Sequence, residues 1–488
     1  MRAETEPDRS VDAPDPARWR ILMVVLGAIF MSLIAVSIVN VALPSMQEGL
    51  GASASDLQWV LSGYALTFGV VLVAAGRAGD VMGRGGIFLI GLAIFTASSI
   101  AASAAPSSEW LNITRFVQGV GSGLINPQGV GMIQQYFRGA ERARAFGYFG
   151  AAVGVSVGIG PVLGGVLINA GGPELGWRLT FLVNVPVGIA TIVLGLLWFP
   201  RPLIRSRRHA DPATRAERSL DPVGALLLGA AVLAILLPFM EGRGSAILWL
   251  LVPVGLLLVR VWVWWERRYA RTGRSPMVDL SIFRTRSFSN GALMITLYFL
   301  GMTSVWVLVA LYMQQGDGRS ALEAGTIGLP SAVLSAIGAN WAGKRVLTYG
   351  RKLVIGGLLV ALVGLLLSIV VVVLHDVAGL SVWWLMLSLS FIGAAQGCVV
   401  SPNQTLTLAE VPLRYAGSSG AIMQTGQRIG TSIGIAVITA AVFSTLEVTD
   451  WPTAASVGFG LVTLVVVATL VVAIKDQRDR RAGGTPTV

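Results

Sequence analysis

The sequence predicts an all-α membrane protein of fourteen spans, and three observations carry that prediction. Only 12% of the 488 residues are charged while 54% are hydrophobic, about half the charge of a soluble domain. So few charges cannot wet the surface of a chain this size, and lipid must solvate most of it. Apolar runs of about 20 residues, the length that crosses a bilayer, recur from end to end. The basic residues behind the net charge of +11 fall in short clusters between those runs, the pattern of cytoplasmic membrane loops and not of a nucleic-acid surface.

Residues 1–18 are polar and carry Pro7, Pro14 and Pro16; they read as a disordered cytoplasmic tail, not a signal peptide. Spans then fall near 19–43, 57–76, 87–105, 109–134, 143–170 and 177–199, a first six-helix unit over 19–200. The stretch 201–287 holds two more spans, near 222–240 and 246–265, isolated by basic loops at 200–221 and 266–287. The last six, near 288–312, 321–341, 353–374, 380–404, 416–446 and 452–474, make a second unit over 288–474, followed by a tail at 475–488. With the N-terminus inside, the cytoplasmic loops receive Arg77, Arg84, Arg138, Arg142, Arg144, the runs Arg201–Arg218 and Arg267–Arg286, Lys344, Arg345, Arg351, Lys352 and Arg414, and the tail begins with Lys475. The other side receives little beyond Arg178, Arg243 and Arg319. That asymmetry puts both termini in the cytoplasm. The loop 266–287 alternates Tyr269, Met277, Leu280, Ile282 and Phe283 with arginines; it suits an amphipathic segment on the anionic inner leaflet, or a solvated linker.

Between spans two and three stands Gly76-Arg-Ala-Gly-Asp80-Val-Met-Gly83-Arg84. Glycines permit a tight turn between close-packed helices, and a carboxylate there can dock on a positive helix N-terminus. The run resembles the loop signature of the major facilitator superfamily. The resemblance implies that Asp80 latches the two halves by meeting the span that begins near Gly417, where Arg414, Ser418 and Ser419 sit. Span five reads Gly150, Gly154, Gly158, Gly160-Pro161 and Gly164-Gly165. Small residues four apart let helix backbones touch, and the run resembles the antiporter motif of the superfamily's exporters, with Ser156 at one usual glycine position. Further matches are similar to the fourteen-span EmrB/QacA-type drug exporters: Ser37-Ile-Val-Asn40-Val-Ala-Leu-Pro44, Trp177-Arg178 with Phe181, Asn184, Pro186 and Gly188, and Gln424-Thr-Gly-Gln427-Arg428-Ile-Gly430. Together they reach over almost the whole chain beyond residue 18. The fold implied is two six-helix bundles, related by a pseudo-two-fold axis along the membrane normal, with two helices inserted between them.

An arginine inside a span is expensive unless paired or hydrated. Arg115, in Arg115-Phe-Val-Gln118 of span four, has two places open to it: the central cavity, where the resemblance ties it to proton coupling, or the outer headgroups, since it lies about 9 Å below Glu109 at 1.5 Å per residue. The polar residues expected around the cavity are Asn40, Gln118, Asn126, Asn184, Asn340, Gln396, Asn403, Gln404, Gln424 and Gln427, with Tyr64, Tyr298 and Trp306 as aromatic surface. Where the resembled family carries a span-one Asp, this chain has Ala35, and every Asp or Glu of the spans lies at an end. Glu323 near the outer end of span ten is the remaining proton-carrier candidate. Arg115 and Arg428 leave the cavity net positive, which favours a neutral or anionic amphiphile.

The lone Cys398 and the two distant histidines, His209 and His375, give no disulfide, metal cluster or catalytic constellation. Gly338-Ala-Asn-Trp-Ala-Gly343-Lys344-Arg345 nearly spells a P-loop, but Arg stands where Ser or Thr is required. The expectation is a monomeric, cofactor-free secondary exporter of small amphipathic compounds in a bacterial cell membrane, surrounded by lipid and driven by protons entering as substrate leaves. A translocator of lipid or cell-envelope precursors and an uptake carrier of the same fold are the alternatives.

Overall fold

Backbone polar groups in lipid must be satisfied within their own segment, which leaves helices as the form these apolar runs can take. The computed structural model describes residues 17–204, 220–241 and 246–482, and among them is almost wholly helical. The predicted arginines from 205 to 218, Arg243 and His209 lie outside the described residues. The first half contains α1 (Arg18–Leu50), α2 (Ala54–Met82), α3 (Arg84–Ser103) and α4 (Ser108–Tyr136). The next run breaks at Gly172, where φ 67° and ψ −170° are open to glycine and little else. It therefore crosses twice, as α5 (Gly139–Gly172) and α6 (Glu174–Trp198). The backbone stays helical through Pro161, so the sharp turn belongs to Gly172.

After α7 (Pro222–Glu241) and α8 (Leu251–Arg271) come α9 (Arg286–Leu311), α10 (Leu329–Tyr349) and α11 (Arg351–Ala378). The chain ends with α12 (Leu385–Thr407), α13 (Ala416–Leu446) and α14 (Trp451–Ala482). Fourteen crossings return both ends to one side, here called the terminal face. Thirteen of the helices are long and apolar enough to span. The fourteenth is α4, whose polarity is hidden by packing: Arg115, Gln118, Asn126, Gln128 and Gln134 are all buried between its neighbours. Outward faces are apolar, with Leu197, Leu226, Leu256 and Leu366 exposed, as a lipid-facing surface requires.

In the first bundle α1 packs on α5, while α2 and α3 pack on α4; in the second, α10 and α11 pack on α12, and α13 on α9. The bundles meet where α2 and α4 touch α13, and where α5 touches α10 and α12. The inserted α7 lies over the α2–α13 seam, its Val232 and Leu236 clustered with Leu66 and Ile429, and α8 packs on α7.

The segment after α8 is more than a solvated linker. Met277, Val278 and Ile282 are buried in the protein core and anchor it to the bundles, while Phe283 stays 40% exposed. The last helix also runs past 474, the predicted end of span fourteen. Its Asp476 lies within 2.7 Å of Arg351, both side chains 2% exposed. Arg351 also donates to Asn403 at 2.5 Å, Asn403 donates to the Gly291 carbonyl at 2.9 Å, and Asn290 donates to Asp476 at 2.8 Å. Four helices of the second bundle are thereby tied at their terminal-face ends.

Removing one partner of a buried ion pair is worth about 3–5 kcal/mol. Asp476→Ala should therefore lower the thermal stability of the purified protein steeply, and the double change Arg351→Met/Asp476→Leu should recover most of it. A single variant that melts with the wild type would show that the pair contributes nothing.

Candidate transport seam and interdomain latch

The loop carboxylate predicted to reach across the molecule does so. Asp80 accepts hydrogen bonds from the Gly417 amide (2.8 Å), the Ser418 amide (2.9 Å) and the Ser418 hydroxyl (2.6 Å). These are the free N–H groups at the start of α13, where the helix dipole favours an anion. Arg84 holds the same carboxylate at 2.7 Å, with the acid 1% exposed, and continues to Gln135 on α4 (2.5 Å) and the Leu413 carbonyl (2.8 Å). Gln134 adds a bond to the Ala416 carbonyl at 3.0 Å. The cation beside Asp80 is thus Arg84. Arg414 lies 4.9 Å over the ring of Tyr415, whose hydroxyl donates to Asp279 at 2.7 Å. Burial tends to raise Asp279, but the Ser281 and Tyr415 donors and Arg414 outweigh it and hold this carboxyl below its usual value.

Two glycines allow that approach. A Cβ on Gly76 would stand 2.7 Å from the Gly417 carbonyl oxygen, and one on Gly417 would stand 2.6 Å from that of Gly76. Gly83 takes φ 112° at the turn into α3. On α5 the glycines divide between two neighbours. Gly150, Gly154 and Gly158 face Ala339, Ser335 and Ala332 of α10, while Gly160 and Gly164 face Ser37 and Ile38 of α1. Gly165 has open space beside it, and Pro161 lies near Gly325. One helix therefore touches its own bundle and the other bundle at backbone distance.

Deeper in the seam a second contact joins the halves. The Arg115 guanidinium lies 4.4 Å over the Tyr64 ring, Tyr64 stacks on Phe68 at 6.2 Å with planes 5° apart, and Arg428 of α13 lies 4.3 Å over Phe68. Arg115 is 1% exposed, so it turns inward and does not reach the outer headgroups. It donates to the Val60 carbonyl at 2.8 Å and to Gln118, which donates to Ser99 at 2.7 Å. The Tyr64 hydroxyl donates to Ser122 at 2.8 Å, Ser32 pairs with Ser122, and Asn126 donates to the Ser122 carbonyl at 3.1 Å. Arg428 is only half-buried, and among the described residues its guanidinium meets the Phe68 face with no carboxylate or carbonyl on it.

The other sequence-predicted residues scatter. Asn40 is exposed, and Trp306, Asn340, Gln396 and Gln427 are half-buried. Asn184, Tyr298 and Gln424 are buried within helix packing, and Asn403 belongs to the Arg351 cluster. Glu323 closes a capping box with Ser320 on the face opposite the termini, with Arg319 at 3.5 Å. Ala35 is buried in the α1 core. Sequence reasoning passed over Phe68, Ser32 and Ser122, which look like ordinary span residues. It also passed over two acids at the ends of the inserted pair. Asp221 caps α7 through the Gly224 amide (2.9 Å) and accepts from Trp265 at 2.9 Å, and Glu266 beside it is 1% exposed. The Asp-Pro pair at 221–222 was the available signal for the cap.

Comparison with known proteins agrees with this architecture. The family model of the Major Facilitator Superfamily matches residues 25–435. A "Probable actinorhodin transporter" of Streptomyces coelicolor is 33% identical over 438 residues, 88% of this chain and 74% of that one. A puromycin resistance protein of Streptomyces alboniger is 30% identical over 431 residues, 87% of this chain and 82% of that one. Among solved structures, the human organic anion transporter MFSD10 superposes with a TM-score of 0.68 at 14% identity, over 94% of this chain and 100% of that one, a likeness of fold.

Charge-assisted hydrogen bonds are worth about 1.5–3 kcal/mol each. Asp80→Asn removes the charge from three bonds across the bundle boundary. It is expected to cut transport turnover by about tenfold or more while membrane abundance stays normal, measured side by side in vesicles. Gly417→Val should do the same by steric means, and wild-type turnover in both variants would dismiss the latch.

Proposed function

The chain belongs to the major facilitator superfamily, and on that premise we propose that it exports small amphipathic compounds, neutral or anionic, across a bacterial cell membrane in exchange for protons. It is a multi-pass membrane transporter of small molecules; direction, charge preference and coupling are the proposal. The face rich in Arg and Lys is the cytoplasmic one. The latch holds that face closed, and substrate then leaves toward the opposite side as the bundles rock about α5 and α10. Export is supported by the glycine-lined α5 and by relatives named for an antibiotic transporter and for antibiotic resistance. The nearly spelled P-loop lies inside α10, with no strand before it, so an ion gradient is the natural driving force. The chain works as a monomer, since both bundles and the seam between them come from one polypeptide.

One observation carries the substrate class. Arg428 presents a planar fork of donors at the α2–α13 seam with, among the described residues, only an aromatic face as partner. An unpaired guanidinium in a span is a ligand-binding candidate by default, and its partner must bring acceptors or negative charge. Arg115, already held by Val60, Gln118 and Tyr64, serves to keep that aromatic stack in place.

Inside-out vesicles loaded to an acidic lumen provide the test. They should accumulate anionic and neutral amphiphilic dyes and lose them when a protonophore collapses the gradient. Arg428→Gln should raise the half-saturation concentration of the anionic dye by about tenfold or more, the value of a charge-assisted bond, and leave the neutral dye within about twofold. Transport of cationic dyes alone, or accumulation indifferent to the protonophore, would overturn the reading.

A further inference from the structure

Around the latch, the terminal-face ends of α2, α4 and α6, the segment after α8 and the turn before α13 enclose a cavity of about 900 Å³. Among the described residues its charged lining is one-sided: Arg77, Arg84, Arg201, Arg274 and Arg414 against the single acid Asp80. Five cations and one anion leave a net charge of +4, and the lone pairs of Asp80 are already engaged by Gly417, Ser418 and Arg84. Arg201, Arg274 and Arg414 are exposed and belong to three different parts of the chain. Arg201 follows α6 and, among the described residues, donates only to the Leu196 carbonyl at 3.4 Å. Arg274 follows α8 and lies 6.0 Å from the Tyr269 ring. Arg414, before α13, covers Tyr415. None of the three has a carboxylate within ion-pair distance among the described residues. Like charges gathered in a partly enclosed space repel one another more strongly than in open water, so the arrangement calls for an anion. The remaining wall is mixed: Gln135, Tyr136, Ser275 and Tyr415 are polar, while Met132, Phe199 and Leu203 give it an apolar part.

We propose that this cavity binds a phosphate group, with the headgroup of an anionic phospholipid as the natural source, and that the bound anion clamps the terminal face shut. The guanidinium fork matches phosphate oxygens two at a time, and the apolar part of the wall suits the start of an acyl chain. A headgroup seated between Arg201, Arg274 and Arg414 bridges the first bundle, the linker and the second bundle. Opening the terminal face draws Arg414 away from Arg201 and releases it. The inference is independent of transport direction and of the exported compound.

The test uses the full chain, purified in a neutral detergent and stripped of lipid. Phosphatidylglycerol, cardiolipin and phosphatidylcholine are added in one arm, and inorganic phosphate and pyrophosphate at matched ionic strength in the other. Native mass spectrometry reads occupancy and thermal denaturation reads protection. Each engaged arginine should favour the anionic lipid over phosphatidylcholine by about fivefold. Arg201→Gln/Arg274→Gln should lose about twenty-fivefold in that preference while keeping the lipid-free melting temperature. Arg201→Lys/Arg274→Lys retains the charge without the fork and should fall between, which keeps the test alive should the Gln pair fold poorly. Protection by pyrophosphate equal to that by the lipids assigns the site to a free phosphorylated ligand. Equal binding of phosphatidylcholine, or undiminished preference in both double variants, overturns the proposal.

Discussion

The amino end of α13 arrives at the terminal face with backbone N–H groups that no residue of its own bundle accepts, and Asp80 of the other bundle accepts them. A helix end buried without acceptors is costly, so the second bundle depends on the first for this one termination. The same carboxylate keeps Arg84 whether or not the crossing bonds exist, since both lie at the α2–α3 turn. Separation of the halves therefore exposes Gly417 and Ser418 to water without stranding an unpaired acid. This is what a reversible contact between bundles needs. Reversing a population from 1:99 to 99:1 takes about 5.5 kcal/mol, within reach of three charge-assisted bonds and beyond the reach of a single neutral one.

The two bundles use their matching turns differently. Gly83-Arg84 opens α3 and Gly350-Arg351 opens α11, both after a glycine of positive φ. Arg84 reaches into the other bundle at Leu413, whereas the Arg351 bonds to Asp476 and Asn403 stay inside its own. The second-bundle turn thereby ties one bundle together, and the first-bundle turn reaches between the two. The glycines of α5 complete this division, because a helix that touches both bundles at backbone distance can slide with few side chains to reorganise.

Much of this was legible in the sequence, and the reasons differ from residue to residue. Asp80 was paired with the start of α13 through the resemblance of its loop to the superfamily's signature, and a carboxylate framed by turn glycines and a helix start with Gly417 and Ser418 are the complementary chemistries that meet there. The span count survived because basic clusters alternate with apolar runs. The hidden parts are those where a partner lies far along the chain and has an ordinary composition. Asp476 read as tail because charge usually means solvent, yet Arg351, 125 residues away, holds it in the protein. Phe68 read as one more apolar residue, and only its stack on Tyr64 and its place under Arg428 give it meaning. The loop 266–287 misled in the opposite way: its alternation is real, but Met277, Val278 and Ile282 face the core.

The same stack explains why two unneutralised arginines are tolerated near one another in a low-dielectric seam. Each faces a π-surface of the Tyr64–Phe68 pair, a contact worth about 0.5–2 kcal/mol according to how far it is desolvated. Their situations differ once the bundles move. Arg115 and its acceptors Val60 and Gln118 all belong to the first bundle and travel together. Arg428 belongs to the second and leaves Phe68 as α13 parts from α2. On the proposed reading, a substrate with negative charge or carbonyl acceptors replaces the ring at that moment, and a cationic one adds repulsion to the loss. Charge preference and conformational change then rest on one side chain, because the partner that Arg428 loses when the seam opens is the one that its ligand must supply.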